Sequence, residues 1–150
     1  MKKYVLVILL LSSYSLLLSA CSHNEKEKIQ VYLDKNNEVF YKFLVVDFKE
    51  GKLNIEVKMP PNYEKWSNEA AEIDINIEIK AILEAVKEYS KKHLDTVKVV
   101  YIYFITFESN KLVLEINVNS DTILGNNWSE LDRLQLSQIV DSYKFYGVSN

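Results

Sequence analysis

Apolar and polar residues alternate with different periods along this chain, and each period implies an element. Tyr4 to Leu18 is apolar apart from Ser12, Ser13 and Ser15. Polar residues of alternating charge follow at 22–28, a composition with too little apolar surface to hold a fold and read as a flexible tether. Ile29, Val31 and Leu33 then alternate with Gln30 and Tyr32, which predicts a short edge strand before the turn-like Asp34-Lys35-Asn36-Asn37.

Two later segments repeat one pattern. Val46-Asp47-Phe48-Lys49-Glu50-Gly51-Lys52-Leu53-Asn54-Ile55-Glu56-Val57 matches Ile105-Thr106-Phe107-Glu108-Ser109-Asn110-Lys111-Leu112-Val113-Leu114-Glu115-Ile116 in its apolar positions, turn residues and lysine. Both read as hairpins. Residues opposite one another in a hairpin point to the same face. With Glu50-Gly51 as a two-residue turn, Phe48 meets Leu53, Val46 meets Ile55 and Leu44 meets Val57. With Ser109-Asn110 as the turn, Phe107 meets Leu112, Ile105 meets Leu114, Tyr103 meets Ile116 and Tyr101 meets Val118. A bulged turn would shift either register locally.

Each hairpin is followed by a loop and then Trp-Ser, at Trp66-Ser67 and Trp128-Ser129. Serine is a favoured helix N-cap because its hydroxyl accepts from an otherwise unpaired first-turn N–H. The first helix would bury Ala71, Ile75, Ile79, Ile82, Val86 and Tyr89, spaced by three or four. Ile73, Ile75, Ile77 and Ile79 also alternate as a strand would, but the segment continues through Lys92, far beyond strand length. The second helix is expected over 129–143, burying Leu131, Leu134, Ile139 and Leu136. The predicted fold is therefore α+β: an antiparallel sheet of about four strands, ββα repeated twice, with strands 39–48 and 97–107 antiparallel at its centre and both helices on one face.

In that register Phe43, Val45, Val100, Ile102 and Phe104 point away from the helices, while Glu56, Lys58, Glu115 and Asn117 on the outer strands are polar. An apolar centre with a polar rim is the pattern of a contact surface. Its occupant is either part of the same chain, a homodimer or envelope protein partner, or a small ligand in a groove.

The N-terminus adds an address. Lys2 and Lys3 precede the apolar run, no acid appears before Glu25, and Leu18-Ser19-Ala20-Cys21 ends it with the chain's single cysteine. This resembles the lipobox of bacterial lipoprotein precursors. The resemblance implies cleavage between Ala20 and Cys21, lipidation of Cys21, and a domain held at the cell membrane through its lipid, outside the cytoplasm. Two acyl chains anchor stably where one is marginal. The domains would then be a removed signal peptide at 1–20, the lipidated cysteine and tether at 21–28, and a single α+β domain at 29–150. With Cys21 acylated no internal disulfide can form, so stability must come from the core. The formal net charge of −3 becomes −5 without Lys2 and Lys3, which gives no attraction for nucleic acid.

Signatures of chemistry are sparse. The histidines are His23 and His93, and no Cys-x-x-Cys, His-Glu-x-x-His or calcium-loop pattern occurs, so no metal or cofactor is expected. No serine lies in a Gly-x-Ser-x-Gly elbow. The sequence favours a binding or interaction module over an enzyme. The alternatives are an envelope enzyme whose site assembles only in three dimensions, or a structural or immunity-type lipoprotein.

Overall fold

Ile29 and Leu33 stand four residues apart, the spacing of one helical face, and both are fully buried while Val31 between them is half exposed. Residues 25–35 accordingly form a helix, α1, where an edge strand and part of a flexible tether were predicted. The structure, a computed structural model, describes residues 25–35, 42–61, 63–93, 96–132 and 135–148. The signal segment and Cys21 lie outside the described residues.

The elements after α1 are β1 (Lys42–Lys49), β2 (Lys52–Lys58), α2 (Asn68–Lys92), β3 (Val99–Ile105), β4 (Leu112–Asn119), α3 (Ser120–Gly125), α4 (Leu136–Ile139) and β5 (Ser142–Phe145). The fold is α+β with a five-stranded mixed sheet. Helix α2 begins as its sequence implies: the Ser67 hydroxyl accepts from Ala70 N–H at the N-cap. Ala71, Ile75, Ile79, Ile82, Val86 and Tyr89 are buried as a stripe against the sheet.

Strand order is β1-β2-β3-β4-β5. Strands β2 and β3 pair in parallel at the centre, and the other pairs are antiparallel. The crossover through α2 thus returns to the neighbouring strand, and β1 and β3, expected to pair antiparallel at the sheet centre, are separated by β2. Gly51 O accepts from both Lys98 N–H and Val99 N–H, which fastens the start of β3 beside the first hairpin's turn. In that turn Glu50 and Gly51 both have positive φ, the backbone of a type I′ turn whose twist matches its strands.

Both hairpins depart from the expected register, the first by one residue beyond Val45, the second by two residues at Ile105 and by one from Phe104 onward. In the first, Phe48 meets Leu53 as predicted, but an irregularity between Val45 and Asp47 then sets Val45 opposite Ile55 and Leu44 opposite Glu56. Helix α1 holds this bulge: Val45 N–H donates to Gln30 Oε1 at 2.5 Å, and Lys26 Nζ donates to Val46 O at 2.7 Å. In the second, the chain turns through 107–110, with Thr106 N–H donating to Lys111 O. Asn110 takes positive φ there. Ile105 consequently meets Leu112, Phe104 meets Leu114 and Ile102 meets Ile116.

A one-residue slip exchanges the two faces of a strand. Val45, Val100, Ile102 and Phe104, expected to form an outward contact surface, are each 0 % exposed and sit in the core under the helices. Phe43 pairs through its backbone with Val57, and its side chain lies outside the described residues. The sheet's inner face is built from cross-strand rungs: Phe48–Leu53–Val100–Val118, then Val45–Ile55–Ile102–Ile116–Tyr143, then Val57–Phe104–Leu114–Phe145.

The second expected helix is also corrected. Residues 128–130 form a turn, and only Leu136–Ile139 is α-helical before the chain enters β5. Ser129 Oγ bonds Asn127 Oδ1 instead of capping a helix. Trp128 is fully buried and donates its indole N–H to Ile123 O at 2.9 Å and its backbone N–H to Glu84. Lys87 donates to Asn126 O and Lys80 to Leu131 O. These bonds hold the segment as an irregular strap along α2. Strand β5 then uses the alternation of Tyr143 and Phe145 to extend the sheet.

Two substitutions test the faces. Phe104→Ala should lower unfolding free energy by about 3–5 kcal/mol, the usual cost of emptying a buried aromatic site. Phe107→Ala, at a side chain 53 % exposed, should stay within about 0.5 kcal/mol. Urea unfolding midpoints of the two variants compare them directly; equal midpoints would reject the register.

Candidate functional site

The slip that buries Ile102 turns Tyr101 and Tyr103 outward. They lie two residues apart on β3, the central strand of the sheet's other face. Tyr101 pairs with Asn54 on β2 and Asn117 on β4, while Tyr103 pairs with Glu56 and Glu115. The two rows extend to Asp47 and Leu44 on β1 and to Ser142 and Lys144 on β5. Each tyrosine is thus flanked on both sides by the same chemistry, carboxamides around Tyr101 and carboxylates around Tyr103. Asn54, Glu56, Tyr101, Tyr103, Glu115 and Asn117 are all partly exposed.

Antiparallel pairing on either edge and the parallel seam at the centre fix these positions through the backbone, and the apolar rungs fix the backbone from below. The platform is therefore preorganised by the core and needs no contact among its own side chains. Among the described residues, Asn54, Glu56, Asn117 and both phenol hydroxyls make no side-chain hydrogen bond within the chain; their polar groups meet solvent. Glu115 accepts from Lys144 Nζ at 2.5 Å. The Tyr103 hydroxyl is pushed above its ordinary value of 10, first by partial burial and then by the neighbouring Glu115 carboxylate and Tyr101.

The helix layer offers grooves of a different character. One of about 530 Å³ runs along α2 over Ile77, Ala81 and Ala85, between Tyr32 and Ser129. Its charged groups are already engaged: Lys80 with Leu131 O, Glu84 with Trp128 N–H, Lys92 with the Tyr32 hydroxyl at 2.9 Å, and Glu88 with Lys91 at 3.1 Å. A second groove, about 430 Å³, lies between α1 and the end of α2 and includes Val31, Tyr89 and His93. Tyr89 donates to Glu25 at 3.2 Å, stacks on His93 at 4.2 Å, and is pushed up to about 12 by burial and by Glu25. Tyr143 likewise donates to Glu72 at 2.8 Å and is raised mainly by burial. These shifted groups hold helix to helix and helix to sheet. No cluster of three metal-ligating side chains occurs among the described residues.

Of the residues singled out from sequence, Val45, Val100, Ile102 and Phe104 are brought together, but inside the core. Ala20 and Cys21 lie outside the described residues. The outward tyrosines and their four neighbours were missed as a site, although the signal was present. Asn54, Glu56 and Lys58 alternate with Leu53, Ile55 and Val57, which already marks the solvent side of β2. An amphipathic tyrosine suits that side better than Ile102 does. Comparison with protein-family models, with curated proteins and with solved structures gives no match to this chain.

The electrostatics of the platform are testable. Glu115→Gln removes a negative neighbour that disfavours the phenolate, so Tyr103 should ionise at a lower pH in the variant, while its partial burial keeps it above an ordinary tyrosine. A ring-resolved NMR pH titration reads this. An unchanged Tyr103 titration would separate the two side chains.

Proposed function

We propose that this chain is a membrane-anchored binding module that acts outside the cytoplasm, attached through lipid on Cys21 and binding through the sheet face around Tyr101 and Tyr103. One observation carries the binding half of this reading: the open face sets two aromatic rings beside Asn54, Glu56 and Asn117, whose side chains have no hydrogen-bond partner among the described residues. The charged groups that line the α2 groove, by contrast, are already bonded within the chain. Weak binding surfaces of this kind combine aromatic contact area with solvated hydrogen-bonding groups.

The anchoring half rests on Lys2-Lys3, the apolar run and Leu18-Ser19-Ala20-Cys21. No helix among the described residues is long and apolar enough to cross a membrane. Residue 25 already belongs to α1, and Ile29 is fixed in the core, so only residues 22–24 separate the cysteine from the folded domain. At about 3.3–3.6 Å per extended residue, that link reaches on the order of 10–14 Å. A domain so closely held stays at the headgroup layer and keeps a fixed side toward it. Two acyl chains make the attachment durable, so release from the membrane has no part in the mechanism.

Intact-mass measurement of membrane-extracted protein tests the anchor. The expected species lacks residues 1–20 and carries a diacylglyceryl group on Cys21, and Cys21→Ala should abolish both changes. A membrane form that retains Met1 with an unmodified thiol would overturn it.

A further inference from the structure

Helix α1 has three sides, and two of them are occupied. Ile29 and Leu33 enter the core, Tyr32 packs edge-on against Tyr89 of α2 with ring centroids 5.2 Å apart, and Lys26 and Gln30 bond the bulge of β1. The third side, with Glu27, Lys28, Val31, Asp34 and Lys35, is exposed. Val31 stands at its middle with 50 % of its surface open, and Lys28 and Lys35 lie about one turn to either side. A single exposed valine is ordinary on a protein surface; its place beside the tether is what gives it a neighbour. The charges around it nearly cancel. Lys28 pairs with Glu25 at 2.9 Å and Lys91 with Glu88 at 3.1 Å, while Glu27 and Asp34 stand against Lys35 and Lys92. Lys26 is turned to Val46 O on β1.

We infer that this exposed side of α1 is the surface on which the domain rests against the lipid headgroups, with Val31 entering the headgroup layer. This rests on the reading of Cys21 as the lipid anchor. The length of the link selects this side. Residues 22–24 reach on the order of 10–14 Å when fully extended, and Val31 is about 9 Å along the helix from Glu25. Side chains of a helix tilt toward its N-terminus, so Lys28 and Val31 lean toward the anchored end. The gap that the link leaves there is at most about one helix diameter, 10–12 Å. A folded partner does not fit into it, and the bilayer is the occupant. One valine between two lysines makes a shallow contact, in which the lysine stems lie along the layer while their ammonium groups stay solvated. The groove of about 430 Å³ between α1 and the end of α2 opens beside Val31 and gives a headgroup room. Because the charges nearly cancel and no cluster of lysines stands apart from acids, the contact needs no anionic lipid.

The test exploits Cys21 as the chain's single cysteine. Once it is acylated, a cysteine introduced elsewhere is the one free thiol for a fluorophore. The membrane-extracted protein is prepared as Val31→Cys, Tyr101→Cys and Phe107→Cys, labelled, and incorporated into phosphatidylcholine vesicles with and without a nitroxide on the lipid headgroup. The nitroxide should quench the label at residue 31 by about twofold or more, as a group within the headgroup layer requires. Labels at residues 101 and 107, on the outward face of the sheet and in the turn beyond the far end of β3, should be left nearly unquenched. Thermal unfolding checks each variant, and Lys28→Cys replaces Val31→Cys if that variant does not fold. Flotation with the vesicles is read on the same samples. Protein that does not float overturns the anchor and this contact with it. Protein that floats with the label at residue 31 unquenched, or with residue 101 or 107 quenched as strongly, overturns the contact alone and leaves the anchor standing.

Discussion

Burial of the α2 stripe against the inner rungs of the sheet is the interaction on which the rest of this structure depends. Ile75, Ile79, Ile82 and Val86 on the helix and Leu53, Ile55, Val100, Ile102 and Phe104 beneath it are all essentially inaccessible to water. Each such side chain stabilises the fold by roughly 1.5–3 kcal/mol relative to an exposed one, far more than the surface ion pairs Lys28–Glu25 or Lys91–Glu88 contribute. The sheet is pressed onto the helix from one side only. The same packing that fixes the core residues also aims their strand neighbours outward, and the two tyrosines gain defined positions without holding each other.

Helix α1 closes the flank of this arrangement. It seals the core with Ile29 and Leu33 and satisfies the bulged edge of β1 with Gln30 and Lys26. An unpaired strand edge is a template for pairing with another chain, so the helix also protects β1. The contact tolerates a wide pH range. The Glu25 carboxyl is held below its usual 4.5, chiefly by its bond from Lys28, and Tyr89 is raised to about 12. The carboxylate's contribution is fully present above pH 4.5 and is lost as pH falls through the lowered value. The phenol's contribution is fully present below its ordinary 10 and is lost as pH rises through about 12.

The readable parts of the sequence were those decided locally. Helix α2 is announced by its cap, its length and a three-to-four spacing that matches the buried set, and Phe48 meets Leu53 across a turn whose Gly51 tolerates positive φ. What could not be read was decided by partners far along the chain. The bulge at Val45 depends on Gln30 and Lys26, which belong to a segment whose alternation of Ile29, Val31 and Leu33 fits a strand as well as a helix. Trp128-Ser129 has the same local chemistry as Trp66-Ser67, yet Glu84, Lys87 and Lys80 hold it in a turn. The candidate site was obscured by the smallest of these errors. One residue of register exchanged Tyr101 and Tyr103 with Ile102 and Phe104, so the right sheet was described from the wrong side.

The parallel seam between β2 and β3 has a consequence for how the chain reaches this state. The β1–β2 and β3–β4 hairpins each join neighbours in sequence across short turns, whereas β5 returns to β4 only after residues 120–141. The seam joins strands separated by the whole of α2, so its loop-closure entropy must be met before any of its hydrogen bonds form. The helix shortens that search by acting as a rigid span about 37 Å long. Lys98 and Val99, both bonded to Gly51 O, fasten one end of this long-range seam to the turn of the first hairpin.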